Sequence, residues 1–162
     1  MPPTHRYTAT IRWTGDLGTG TQEYEGYSRD HRIEAPGKPP ILATSGLSPR
    51  SDPGRHNPEE LVVAALSSCH MLWYLHLCST AGVVVTSYVD EAEGLLELDR
   101  DGSGRFTGAT LRPQVEVSVG SIETARALHA AAHEKCFVAH SVNFPVRCEP
   151  TVRRRSAPPP GP

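Results

Sequence analysis

Two cysteines carry the chemistry this sequence offers. Cys69 lies inside the apolar run NPEELVVAALSSCHMLWYLHLC, and Cys136 closes the run ALHAAAHEKC, where His129 and His133 precede it by seven and three residues. At helical spacing those three residues share one stripe. Cys69 shares its own face with Val62, Leu66, Trp73 and His76. A thiolate, not a thiol, is the nucleophile, so a reactive cysteine needs a cation or hydrogen-bond donors beside it. Its oxidation by a peroxide gives a sulfenic acid, which a second thiol can trap as a disulfide. The same residues admit other uses. His129, His133 and Cys136, with Cys69 as a fourth ligand, form an N/S set that zinc accepts, and either thiol can serve as a small apolar residue in a core helix.

Of the remaining cysteines, Cys78 is nine residues from Cys69, which places it on the opposite side of a helix. Both it and Cys148 read as packing. The four cysteines form no C-x-x-C pair, and the opening MPPTHRYTATIRW lacks the charged-then-apolar pattern of a secretory signal. The expectation is a cytoplasmic protein with redox or catalytic thiols rather than a disulfide framework.

The elements that must position these thiols are well signalled. Asn57 can cap a helix, Pro58 suits its first position, and Glu59 and Glu60 place negative charge at the positive end of the dipole. With Gly82 as the stop, this helix spans ~36 Å. Its apolar residues lie on nearly every side from Leu61 to Leu77, so it should be buried, with a partner chain supplying part of the cover. A membrane span is disfavoured by Ser67, Ser68, His70 and His76 within it. Ser121 caps a second helix through about Lys135. Alternation predicts strands at 6–14, within 21–34, at 83–98, 105–119 and 143–152, with hairpins through GDLGTG and DRDGSG. The segment 35–56, rich in proline and glycine, reads as a long loop. The chain is an α+β protein by this pattern: one domain over 1–152, then an Arg/Pro-rich tail over 153–162 that reads as disordered. With 16 Lys+Arg against 18 Asp+Glu, nothing draws it to nucleic acid or an anionic membrane. The expected partner is a small molecule or another copy.

NPEELVVAALSSCH resembles the first cysteine motif of the OsmC/Ohr family (osmotically inducible and organic hydroperoxide resistance proteins), and AHEKCFVAHS looks like that family's second. The resemblance covers roughly residues 6–152 and includes the order of strands and helices. It implies an OsmC-like fold, antiparallel sheets around a long buried central helix and a second helix, in an intertwined homodimer. It also implies a thiol peroxidase acting on organic and possibly hydrogen peroxides, with Cys69 peroxidatic, Cys136 resolving, no cofactor and no metal, and an external dithiol as reductant. The family's activating arginine pairs with the glutamate of the Asn-Pro-Glu motif, which is Glu59 here. Arg29 ranks first for the arginine and Arg50 second, with Arg55 also near the helix start. Glu59 and Cys69 sit ~15 Å apart on one straight helix, so Glu59 would serve the thiol of the other protomer. The sequence departs from the family in His70 after the first cysteine, Phe137 after the second where proline is common, and the long 35–56 loop. His70, one residue from Cys69, reads as a satisfied core histidine. Apolar lining from Val62, Leu66, Trp73 and Phe137 would favour an organic hydroperoxide. The alternatives are a non-enzymatic member binding an apolar ligand in the same pocket, or a redox or metal sensor.

Overall fold

The structure, a computed structural model, describes residues 2–48 and 50–156. The chain divides into two compact units, Met1–Leu61 and Val62–Pro162.

In the first unit, β1 (Thr10–Trp13), β2 (His31–Glu34) and β3 (Ile41–Ala43) form an antiparallel sheet in that order. The alternation at 6–14 yields only four strand residues, all exposed, so no buried face extends the pairing. The β1–β2 hairpin closes through residues 14–30, far more than GDLGTG. That hexapeptide forms its own turn, in which Asp16 Oδ1 accepts the N–H groups of Gly18 and Gly20 at 2.8 and 2.9 Å. The segment 35–56 carries β3, whose end is bridged to His56.

The helix α1 (Pro58–Thr80) begins and ends as its sequence predicts. Asn57 Oδ1 accepts the Glu60 N–H at 2.8 Å while the Glu60 carboxylate accepts the Asn57 N–H, a reciprocal capping box. Gly82 ends it at φ +69°, a left-handed conformation that glycine adopts without a Cβ penalty. The helix has the length and hydropathy of a membrane span. Its stripe Leu66, His70, Tyr74 and Cys78 is nevertheless buried in the second unit, at the i, i+4 spacing of a core helix.

That unit continues with β4 (Val84–Asp90), β5 (Glu93–Leu98), β6 (Gly104–Leu111), β7 (Pro113–Val119), α2 (Ile122–Lys135), a 3-10 turn at Ala139–Ser141, β8 (Val146–Cys148) and β9 (Thr151–Arg154). The two long strands expected at 83–98 and 105–119 each break, near Glu91 and at Arg112. Their halves join separate sheets, β4-β7-β9 and β5-β6-β8. Asp90 holds this corner: its carboxylate accepts the Ser67 hydroxyl from α1 at 2.5 Å and the Arg112 N–H at 2.6 Å. Inward alternation persists across the break, with Ala109, Leu111, Pro113, Val115 and Val117 all buried. The expected last strand breaks as well, and β8 and β9 add parallel to β6 and β7, so the sheets are mixed. Strand β9 reaches Arg154, past the boundary expected at 152, with Arg153 paired to Glu116 at 2.8 Å. Residues 157–162 of the expected tail lie outside the described residues. Ser121 caps α2 by accepting the Thr124 N–H at 3.2 Å.

Two apolar clusters fill this unit. One gathers Tyr74, Cys78, Val83, Val115, Val117, Ala125, Ala132 and Val152. The other joins Leu66, Ala109 and Leu111 with partly buried residues including Val62, Phe144 and Val146. Leu66 is fully buried at the centre of the smaller cluster, so truncation there leaves a cavity. Leu66→Ala should lower unfolding free energy by about 3 kcal/mol, measured by urea denaturation; a loss under about 1 kcal/mol would mean the cluster is not close-packed.

Candidate functional site

The C-terminal end of α2 brings Cys136 against Cys69. Cys136 ends the helix because its backbone turns extended, at φ −72° and ψ 105°, and its N–H reaches back to the His133 carbonyl. Cys136 is 1% exposed, and the Cys69 thiol lies near enough to act on its ionisation. Cys69 is half-buried, and neither thiol is bridged to another. The two are therefore unequal in access, with Cys69 the one a dissolved reagent can reach.

Their protonation follows from this placement. Burial, and then the neighbouring Cys69 thiol, push Cys136 up to about 11, against which the N–H groups of Ala139 and Val138 pull. Ala139 N–H points at the Cys136 sulfur from 3.5 Å, a donor from the 3-10 turn that would stabilise a thiolate there. Beside the thiols, Trp73 and Phe137 meet edge to face at 5.6 Å, and Lys135 stands over the Trp73 ring. Phe137, expected in the apolar lining, is exposed, whereas Leu66 is buried within its cluster.

The charged candidates lie in the other unit, Met1–Leu61. Arg29 is clamped by its own loop: its guanidinium sits 4.4 and 4.1 Å from the Tyr24 and Tyr27 ring centres and donates to the carbonyls of both residues at 2.7 and 2.8 Å. Such stacking holds an arginine in one orientation while leaving its charge intact. Arg55 pairs with Asp30 and Asp52 at 3.5 and 3.2 Å. Glu59 is half-buried in the first turn of α1, and Arg50 is exposed.

A second constellation escaped the sequence reading. His129 faces His70 rather than Cys136, with His70 Nε2 and His129 Nδ1 3.0 Å apart. The ring centres are 5.3 Å apart and the planes 6° from parallel. That separation equals the N···N distance plus two ring radii of about 1.15 Å, so the rings lie coplanar and in line, edge to edge, rather than stacked. Cys148, which alternation placed in packing, sets its sulfur 3.5 Å from His70 Nε2 and 4.0 Å from His129 Nδ1. Tyr74 stacks on His129 with ring centres 3.8 Å apart. Burial, with the charge of His70 beside it, pushes His129 down to about 3, and burial likewise lowers His70. Burial, then Asp90 and Glu149, push Cys148 up to about 12. All three groups are thus held neutral. The partners come from α1, α2 and β8, 59 and 78 residues apart along the chain, and no local periodicity could have joined them.

Because burial favours the neutral thiol at Cys136, its ionisation lags that of an ordinary cysteine, which begins near 9. Alkylation of the reduced protein at neutral pH should therefore mark Cys69 well before Cys136, with Cys136 catching up only as pH rises toward about 11. Peptide mapping after timed iodoacetamide treatment checks this; equal rates at pH 7 would contradict it.

Residues 51–151 match the family described as OsmC-like protein. Among solved structures, an OsmC-like protein of unknown function from Vibrio cholerae is 35% identical, covering 91% of this chain and 100% of its own, with a TM-score of 0.82. Organic hydroperoxide resistance proteins from Elizabethkingia anophelis and Bacillus subtilis share the fold at lower identity. The first is 19% identical, covering 96% of this chain and 100% of its own at a TM-score of 0.64; the second is 23% identical, covering 90% and 98% at 0.58. A search of the curated proteins gave no match. The family match and the similarity to the Vibrio structure, together with the mixed α+β architecture, make this chain a member of the OsmC-like protein family.

Proposed function

We propose that the protein is a two-cysteine thiol peroxidase that reduces organic hydroperoxides, with hydrogen peroxide as a secondary substrate. The observation that carries this reading is the nearness of a half-buried, free Cys69 to a buried, free Cys136 at the end of α2. The Cys69 thiolate attacks the outer peroxide oxygen, the O–O bond breaks, and the alkoxide leaves to take up a proton as the alcohol. Cys69 becomes a sulfenic acid. The Cys136 sulfur then attacks the Cys69 sulfur, its proton leaves with the departing hydroxide as water, and a disulfide remains. An external dithiol restores both thiols. The Trp73–Phe137 pair beside the thiols supplies apolar surface for an organic chain, and related structures bear the name of organic hydroperoxide resistance proteins.

Arg29, with Glu59, is the proposed activating pair, on the family resemblance and on the fixed orientation of its guanidinium. Arg50 is the second candidate. The proposed working form is a homodimer in the cytoplasm, where thiols stay reduced. Supporting the dimer, only 22% of the most apolar stretch of α1 is buried, and Leu72 on that helix is exposed.

One equivalent of an organic hydroperoxide added to reduced protein should produce the 69–136 disulfide, seen by mass mapping. Cys136→Ser should stop at the sulfenic acid and Cys69→Ser should consume no peroxide. Unchanged thiols in the natural protein would sink the reading. Light scattering at working concentration should give twice the chain mass; a fully active monomer would rule out the dimer.

A further inference from the structure

We propose that His70 Nε2, His129 Nδ1 and the Cys148 sulfur form a three-ligand site for a borderline-soft divalent cation, zinc foremost, separate from the Cys69–Cys136 pair. The three ligand atoms all lie within 4.8 Å of one another, with both histidines buried. A tetrahedral zinc site sets N···N at about 3.3 Å and N···S at about 3.6 Å. The observed 3.0, 3.5 and 4.0 Å depart from these by a few tenths of an ångström. One N and S set of this kind suits zinc better than magnesium or calcium, which take oxygen.

A pair of neutral rings sharing one inner proton keeps one outer N–H and one outer bare nitrogen. Those outer atoms, His70 Nδ1 and His129 Nε2, are both buried without a hydrogen-bond partner, and each such orphan costs about 1–3 kcal/mol. These outer nitrogens stay unpartnered with or without a cation, so the site rests on the spacing of the three ligand atoms. When a cation binds, the bridging proton moves to an outer nitrogen, each ring turns so that its inner lone pair meets the metal, and the Cys148 thiol releases one proton to solvent. The site then carries a net charge of +1. Asp90 and Glu149, whose negative charge acts on Cys148, disfavour a lone thiolate there but favour a cation. Asp90 is itself fixed by Ser67 and Arg112.

His129 and Cys148 also line a pocket of about 320 Å³ with Arg126, Ala130, His133, Val146 and Pro150. This pocket adjoins two of the three ligands and leaves room for a water as the fourth. A site with three protein ligands and one open position is the arrangement of reactive rather than purely structural zinc.

The test uses the full chain, reduced and stripped of metal, titrated with cobalt(II) and then zinc. Expected are one equivalent bound, a thiolate-to-cobalt charge-transfer band in the near ultraviolet, and its displacement by zinc. The band should survive in the Cys69→Ser/Cys136→Ser double variant and vanish in Cys148→Ala, with zinc affinity down at least about tenfold. In the natural protein, zinc should shield Cys148 from iodoacetamide, a readout that needs no variant to fold. A band that persists in Cys148→Ala, or disappears in the double variant, or Cys148 alkylation unchanged by zinc, would overturn the proposal. None of these outcomes depends on peroxide turnover.

Discussion

The second unit is organised around the burial of one slanting stripe of α1. Leu66, His70, Tyr74 and Cys78 are four residues apart and all buried, so each successive side chain is turned about 40° further around the helix. The stripe therefore reaches two clusters rather than one: Leu66 enters the smaller, Tyr74 and Cys78 the larger. His70 falls between them, a polar group at the junction of two apolar cores. A buried polar group without a partner is costly, and His129 of α2 supplies the partner. That single bond couples the register of α1 to that of α2.

Both thiol constellations follow from this coupling. Cys69 is turned about 100° from His70 on α1, which brings it to Cys136 at the end of α2. His129 lies seven residues before Cys136 and faces inward, where β8 delivers Cys148. One helix pair thus places a half-buried thiol beside a buried one on one side and two buried histidines with a half-buried thiol on the other. Burial holds Cys148 and its imidazoles neutral, while Cys69 is open enough to meet a solute.

Much of this was legible locally. The Asn57–Glu60 capping box, Gly82 at the end of α1, and Ser121 before α2 are contacts within a turn, so their residue types nearly dictate them. The order of strands and helices, and the two cysteine motifs, were equally readable. The strands were read less well. Alternation at 105–119 was sound, since Ala109 through Val117 do face inward, yet it held no sign of the break at Arg112 that splits the strand between two sheets. Alternation at 6–14 looked like a half-buried strand but β1 is exposed throughout.

By itself, then, the sequence determined the helices, their ends and the identity of two candidate thiols, because periodicity and capping act over a few residues. Only the tertiary structure decided that the Cys148 sulfur lies against two imidazoles and that His129 looks to His70. Those partners are brought together by the parallel addition of β8 to β6 and by helix-on-helix register. Such juxtapositions depend on how separate elements bury their apolar faces against one another, and no pattern confined to one element encodes that.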